Sequence, residues 1–297
     1  MTGDAFDVDV VVVGGGPSGC SAGVFLARYG FETRVFDRGV AALPRSAFLA
    51  NYPGFPAGID IETFTDLLHD HAETAGCDVV PDMVESVDHG ESEGFVVETQ
   101  EGREVAARYV VAASWYDGEY LRPLTGGEAF EAHEHDGDEH EHFDPDYVDA
   151  DGRTPVDGLY VVAPAGQRNA QAVVAAGQGA HVARRLIKDD REREGYPPAL
   201  AEHYDWLRSE SEFTGDWAER PRWREWFESE IPEDYEPAEG VDLDELRETY
   251  IDAAFETKRT DEAVEALRER AHRRLLDHLD DDVIKDYLAE RDERPAE

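Results

Sequence analysis

A run of valines near the start of the chain ends abruptly in a glycine loop. Val8 to Val13 is apolar apart from Asp9, and Gly14-Gly-Gly16-Pro-Ser-Gly19 follows without a break. A near-continuous apolar run bounded by turn residues reads as a buried strand of a parallel sheet. A strand that enters G-x-G-x-x-G and leaves as a helix is the opening of a dinucleotide-binding βαβ unit. Gly14 permits the tight turn, Gly16 lets a pyrophosphate approach the backbone, and Gly19 lets the helix pack on the strand. Pro17 and Ser18 sit where the helix begins, and this N-terminus offers free N–H groups, Pro17 excepted, and the positive end of its dipole.

Ala22 to Tyr29 reads as the helix, ending at Gly30, and Thr33 to Phe36 as a second strand closed by Asp37. Asp37 lies 21 residues after Gly16, where a carboxylate accepts from both hydroxyls of an adenosine ribose. The acid favours an unphosphorylated ribose, as in FAD or NAD, and Arg38 beside it leaves NADP open. Ile61 to Ala75 has a helical apolar spacing. Short strands are expected at Asp78–Val80, Met83–Val87, Phe95–Thr99, Tyr109–Ala112 and Gly158–Ala163, and a last helix at Gln171–Ile187. The expected fold is α/β: a three-layer Rossmann-like domain over 1–190, with a C-terminal α-helical extension over 191–297.

Composition narrows the function. Hydrophobic residues make up 41% of the chain and aromatics 10%, enough for a core. The 69 Asp+Glu against 28 Lys+Arg give a net charge of −41, which argues against nucleic-acid partners and anionic membranes. Lysine occurs only at Lys188, Lys258 and Lys285. Such a surface suits a salt-filled cytoplasm, as in a halophile, where molar salt shortens the Debye length to about 3 Å. The acidic N-terminus, with its short apolar run, reads as neither a signal peptide nor a membrane span, so the expected location is cytoplasmic.

Cys20 and Cys77 form no C-x-x-C. A helix N-terminus can activate a thiol such as Cys20, but a buried packing residue is the better reading. The 116–152 stretch reads as a short acidic, His-rich loop. Within it, His133, His135, His140 and His142 alternate with acids, a mixture that suits divalent metals and equally a solvated loop. Trp206, Trp217, Trp223 and Trp226 stud the tail, which reads as two or three amphipathic helices. Asp242-Leu-Asp-Glu245 is a capping box. Thr260 caps a stripe of Val264, Leu267, Ala271, Leu275 and Leu279. This tail is read as packing on the first domain or on a symmetry mate in a homodimer.

GGGPSGCSAGVFLARYG…VFDRG, followed by Asn51-Tyr-Pro-Gly-Phe55, resembles the FAD domain of the thioredoxin-reductase-like pyridine nucleotide-disulfide oxidoreductases. The resemblance covers roughly 8–188 in two blocks. It implies FAD as cofactor, Asn51 on the flavin side, and Val84 in the strand whose backbone holds the adenine. Ala113 falls in the family's Ala-Thr-Gly turn. Gln171 and Ala172 open a helix whose N–H groups face the pyrimidine edge of the flavin.

The departures are as informative. Ala163-Pro164 replaces the family's Gly-Asp, and Ala113-Ser114 its Thr-Gly. Between Trp115 and Gly152 only 36 residues stand where the family has an NADPH domain and its Cys-x-x-Cys. The resulting expectation is an FAD-dependent oxidoreductase similar to the flavin half of a thioredoxin reductase, fed by a diffusible donor or a redox protein partner. No catalytic side chain is marked. The alternatives are a non-catalytic dinucleotide-binding module and a single-domain, thiazole-synthase-like NAD enzyme, which Asn51-Tyr-Pro-Gly disfavours.

Overall fold

The valine run forms strand β1 (Val8–Val13), whose Val10, Val11 and Val12 are completely buried. It pairs in parallel with β2 (Thr33–Phe36) on one side and β6 (Glu104–Ala112) on the other. The computed structural model describes residues 6–39, 43–90, 93–114, 118–135, 138–162 and 171–292. The chain divides into two compact units, Met1–Asp205 and Trp206–Glu297.

In the first unit β3 (Asp78–Val80) extends the parallel sheet beyond β2. Strand β6 serves two partners in succession. Its first half pairs antiparallel with β5 (Phe95–Thr99), which pairs with β4 (Val84–His89), and its second half pairs in parallel with β9 (Leu159–Val161). The sheet order is β3-β2-β1-β6-β5-β4, with β9 on β6. Helix α1 (Pro17–Tyr29) packs on α2 (Ile61–Ala75) and on α4 (Ala172–Glu194). One buried cluster joins these helices to the sheet through Leu26, Val35, Ala72, Val182 and Ile187. A second lies among Phe36, Val84, Phe95, Leu121 and Phe143. This is the Rossmann-like α/β arrangement expected.

Three local expectations change. Helix α1 begins at Pro17 rather than Ala22, because the end of the glycine loop is already its first turn and proline suits that position. The 116–152 stretch is not a plain loop. After α3 (Arg122–Thr125) it carries an antiparallel hairpin, β7 (Phe130–His135) and β8 (Asp138–Phe143). Its open end is anchored by the register partners Phe130 and Phe143, both buried, with rings edge to face at 6.0 Å. The Arg122 guanidinium lies 4.1 Å from the Phe130 ring centre and reaches Glu141 of β8 at 3.0 Å. The segment after residue 190 also starts within the first unit: Tyr196, Leu200 and Ala201 are buried, and Arg191 donates to the Leu200 carbonyl at 3.0 Å.

The second unit contains α5 (Arg220–Ser229), α6 (Leu243–Glu256), α7 (Asp261–Leu276) and α8 (Asp281–Asp292), more helices than the sequence pattern suggested. A two-residue pair, β10 (Arg208–Ser209) and β11 (Lys258–Arg259), ties its start to the α6–α7 link. Its core is Phe213, Trp223 and Ile251, surrounded by Trp226, Tyr250 and Phe255. Asp242 and Thr260 cap α6 and α7 as expected. The α7 stripe, however, is exposed and builds no core. Among the described residues no helix is long and apolar enough to cross a membrane.

Candidate dinucleotide site

The glycine loop is shaped by what its missing side chains would strike. A Cβ on Gly19 would lie 1.7 Å from the Gly14 carbonyl oxygen, and one on Gly14 2.9 Å from that of Ala113. Gly14 also has a φ of 111°, a conformation that favours glycine. A Cβ on Gly15 would collide with Asp37. Above Gly16 there is nothing within 4 Å. Gly16 is the N-cap of α1 and has no side chain with which to cap that end. The first N–H groups of the helix are therefore left for a ligand beside the open face of Gly16.

Asp37 follows β2 and points back to this loop. Its Oδ2 lies 3.0 Å from His69 Nε2, and its Oδ1 accepts from the Gly39 N–H at 3.0 Å. The same His69 nitrogen lies 3.0 Å from the Gly15 carbonyl oxygen. Burial raises the Asp37 pKa, but the bonds from His69, Gly39 and Gly15 together outweigh it and the net shift is downward. His69 moves the opposite way: the hydrogen bond to Asp37, then that to Cys20, pushes it up to about 10. Cys20 donates to the Gly15 carbonyl at 3.1 Å, and burial raises its thiol. It belongs to the packing under the loop. A pocket beside the loop is lined by Gly15, Gly16, Asp37, Gly39, Thr65, Leu68 and His69.

The flavin-side candidates meet at the start of α4. Asn51 Nδ2 donates to Gln171 Oε1 at 2.7 Å. Tyr52 and Phe55 pack on Phe64 of α2 at 5.0 and 6.0 Å between ring centres, which fixes the segment after Asn51. Gln171 is the N-cap of α4 with no side-chain cap bond, and Ala172 is its first helical residue.

The other candidates are distributed as follows. Ser18 is buried and donates to the Ala113 carbonyl at 3.4 Å, so both hold the loop against the end of β6. Pro17 is buried at the first helical position. Arg38 is exposed and donates to Met83 Sδ at 2.9 Å. The Val84 side chain lies in the core with Phe36. Ala163-Pro164 falls outside the described residues, as do the side chains of His133, His135, His140 and His142. Among the described residues no His/Cys/Asp/Glu group could hold a metal.

Sequence reasoning missed His69. A signal was present: Thr65, Leu68, His69 and Ala72 share one face of α2, and His69 is an ionisable group on a face directed at the fold.

An N-cap without a side chain, an open glycine and an ionised carboxylate thus meet at one end of this α/β sheet. Residues 7–51 match the family model of the FAD binding domain. The chain is 32% identical over 108 residues to a thioredoxin reductase of Aquifex aeolicus, covering 36% of this chain and 33% of that one. It is 35% identical over 83 residues to a thioredoxin reductase of Streptomyces clavuligerus, covering 27% and 26%. The match thus spans a third or less of these relatives' length. The solved thioredoxin reductase from Gloeobacter violaceus superimposes with a TM-score of 0.52 at 20% identity, over 68% of this chain and 98% of that one. A putative thioredoxin reductase from Bacillus anthracis gives 0.50 at 14%, over 63% and 99%. The fold is thioredoxin-reductase-like, and FAD is the cofactor of the family model that matches residues 7–51.

Proposed function

We propose that this chain is an FAD-dependent oxidoreductase that works without a nicotinamide domain of its own and takes electrons from a diffusible reductant or a redox protein. The observation that carries the reading is the open, uncapped start of α1 above Gly16, beside the ionised Asp37. These residues fit one end of FAD. The α1 N–H groups would hold the pyrophosphate, and Asp37 the adenosine ribose through the lone pairs that His69 and Gly39 leave free. The Asn51–Gln171 pair and the uncapped start of α4 would face the flavin, with the exposed Val173 and Val174 offering apolar cover. When bound, FAD supplies the hydride or electron transfer, and the protein supplies position and electrostatics. With few cations in the chain, the diphosphate would be held by backbone N–H groups and helix dipoles.

The absorbance spectrum of the purified chain in about 2 M KCl tests this. We expect near-stoichiometric flavin, bleached by a chemical reductant. A colourless protein that gains no flavin signal on titration with FAD overturns the reading. Binding of AMP or NAD without flavin would instead support a non-catalytic module. The hairpin standing between β6 and β9, with no second glycine fingerprint, is the observation that favours that module.

A further inference from the structure

Helix α7 spans 16 residues and buries none of them. Val264 is 41% exposed, Leu267 40% and Leu275 53%. With Ala271 they form one stripe at steps of three and four. An amphipathic helix ordinarily turns such a stripe to a core, and here the core of the second unit is made by Phe213, Trp223 and Ile251 without it.

The charge of α7 sets it apart from the chain as a whole. It has four carboxylates and four arginines, in a chain of net charge −41. These charges are largely segregated. Asp261, Glu262 and Glu265 lie towards its start and Arg270, Arg273 and Arg274 towards its end, while Arg268 and Glu269 in the middle pair with Glu265 and Arg273 at 2.7 Å each. The order suits the helix's own dipole, but a dipole accounts for no apolar stripe. A helix that is neutral, apolar along one side and acid-to-base along its length complements an antiparallel copy of itself.

We propose that α7 is a self-association face, through which two copies of this chain pair antiparallel. Val264 then lies opposite Leu275 of the second copy, and Leu267 opposite its Ala271, a small residue that lets the axes approach. Glu265 meets the Arg273–Arg274 end of the other helix. A patch without net charge is where two strongly acidic chains can meet with least repulsion. The stripe continues in sequence through Leu279 to Val283 and Tyr287 of α8, all exposed. At about 24 Å long, α7 alone covers less than a standard interface. Association is therefore weak, with a midpoint at about ten to a hundred micromolar. It tightens as salt screens the remaining repulsion.

Sedimentation of the full chain tests the mass and oxidative pairing tests the direction. Up to about 100 µM in about 2 M KCl we expect a weight-average mass that climbs with concentration from the 33.2 kDa chain mass towards twice that value. Leu267→Asp, at an exposed position, should fold normally by circular dichroism and sediment as a monomer. A mixture of Val264→Cys and Leu275→Cys chains should form the mixed disulfide on mild oxidation, while neither alone does so, since Cys20 and Cys77 are buried. A monomeric wild type, a dimer that Leu267→Asp leaves intact, or Val264→Cys chains that cross-link to themselves would each overturn the proposal. A heterologous protein bound to this face while the pure chain stays monomeric would overturn it as well.

Discussion

Gly16 and Gly19 stand three positions apart and should respond oppositely to substitution. Gly19→Ala forces a methyl against the Gly14 carbonyl, 1.7 Å away. Overpacking costs about 1–3 kcal/mol and sometimes more, so its unfolding midpoint should fall clearly. Gly16→Val enters open space at an extended φ of −78°. It should keep the wild-type midpoint in the absence of cofactor and lose flavin occupancy. If Gly16→Val retained full flavin, the loop would not be the site. His69 gives a second test. Its folded pKa, about 10, lies above its ordinary 6.5, so its contribution is full below 6.5 and fades as pH rises towards 10. Asp37, lowered, contributes above its ordinary 3.8 and fades only in acid. Thermal melts between these limits should show wild-type stability declining through the alkaline range and His69→Gln much flatter. Parallel curves would remove the ion pair from the account. At this scale the sequence showed the acid and the glycines, because their roles are fixed by spacing along one chain segment. It hid the Asp37–His69 bond, because 32 residues and a helix packing step separate the partners.

Whole elements were legible where one period ran unbroken. β1, β2, α2, β3 and β5 fall where the apolar pattern places them, since each has a single environment along its length. The β7–β8 hairpin was hidden because only its anchored end is apolar. Phe130 and Phe143 are buried, while the residues between are nearly all acids or histidines and give no apolar alternation to read. The fate of the α7 stripe was hidden for a different reason: a pattern shows that a face is apolar, but not what covers it. Asp242 and Thr260 were legible as caps, whereas the cap of α2 went unread. Asp60 Oδ1 accepts from the Thr63 N–H at 2.8 Å at the start of α2. Asp60→Ala should lower stability by about 1 kcal/mol, measured by urea unfolding. α2 carries His69 and Phe64, so the same substitution should also loosen flavin binding. Unchanged stability would mean that packing alone holds this end of α2.

At the scale of the molecule the governing quantity is charge. The fold brings many arginines to carboxylates: Arg153 bonds Asp151 and Asp189, Arg220 and Arg224 share Glu248, and Arg184 and Arg185 share Glu202. Salt weakens such pairs where they are exposed, each worth about 0–1 kcal/mol. Yet 69 acids face 28 Lys and Arg, so even complete pairing would leave a large excess that repels itself in the folded state. Screening that excess helps folding, and screening the pairs hurts it. The excess dominates because it is a collective repulsion that grows with every added acid, whereas exposed pairs are small and separate. The unfolding midpoint should therefore rise as KCl goes from about 0.1 M to about 1 M, where the Debye length falls from about 10 Å to about 3 Å. Most of the gain should come before the length drops below the spacing of neighbouring carboxylates. An uncharged osmolyte matched for water activity separates this electrostatic effect from a general strengthening of apolar burial. If that osmolyte reproduced the whole rise, or if stability fell with added KCl, self-repulsion would not be what limits this fold.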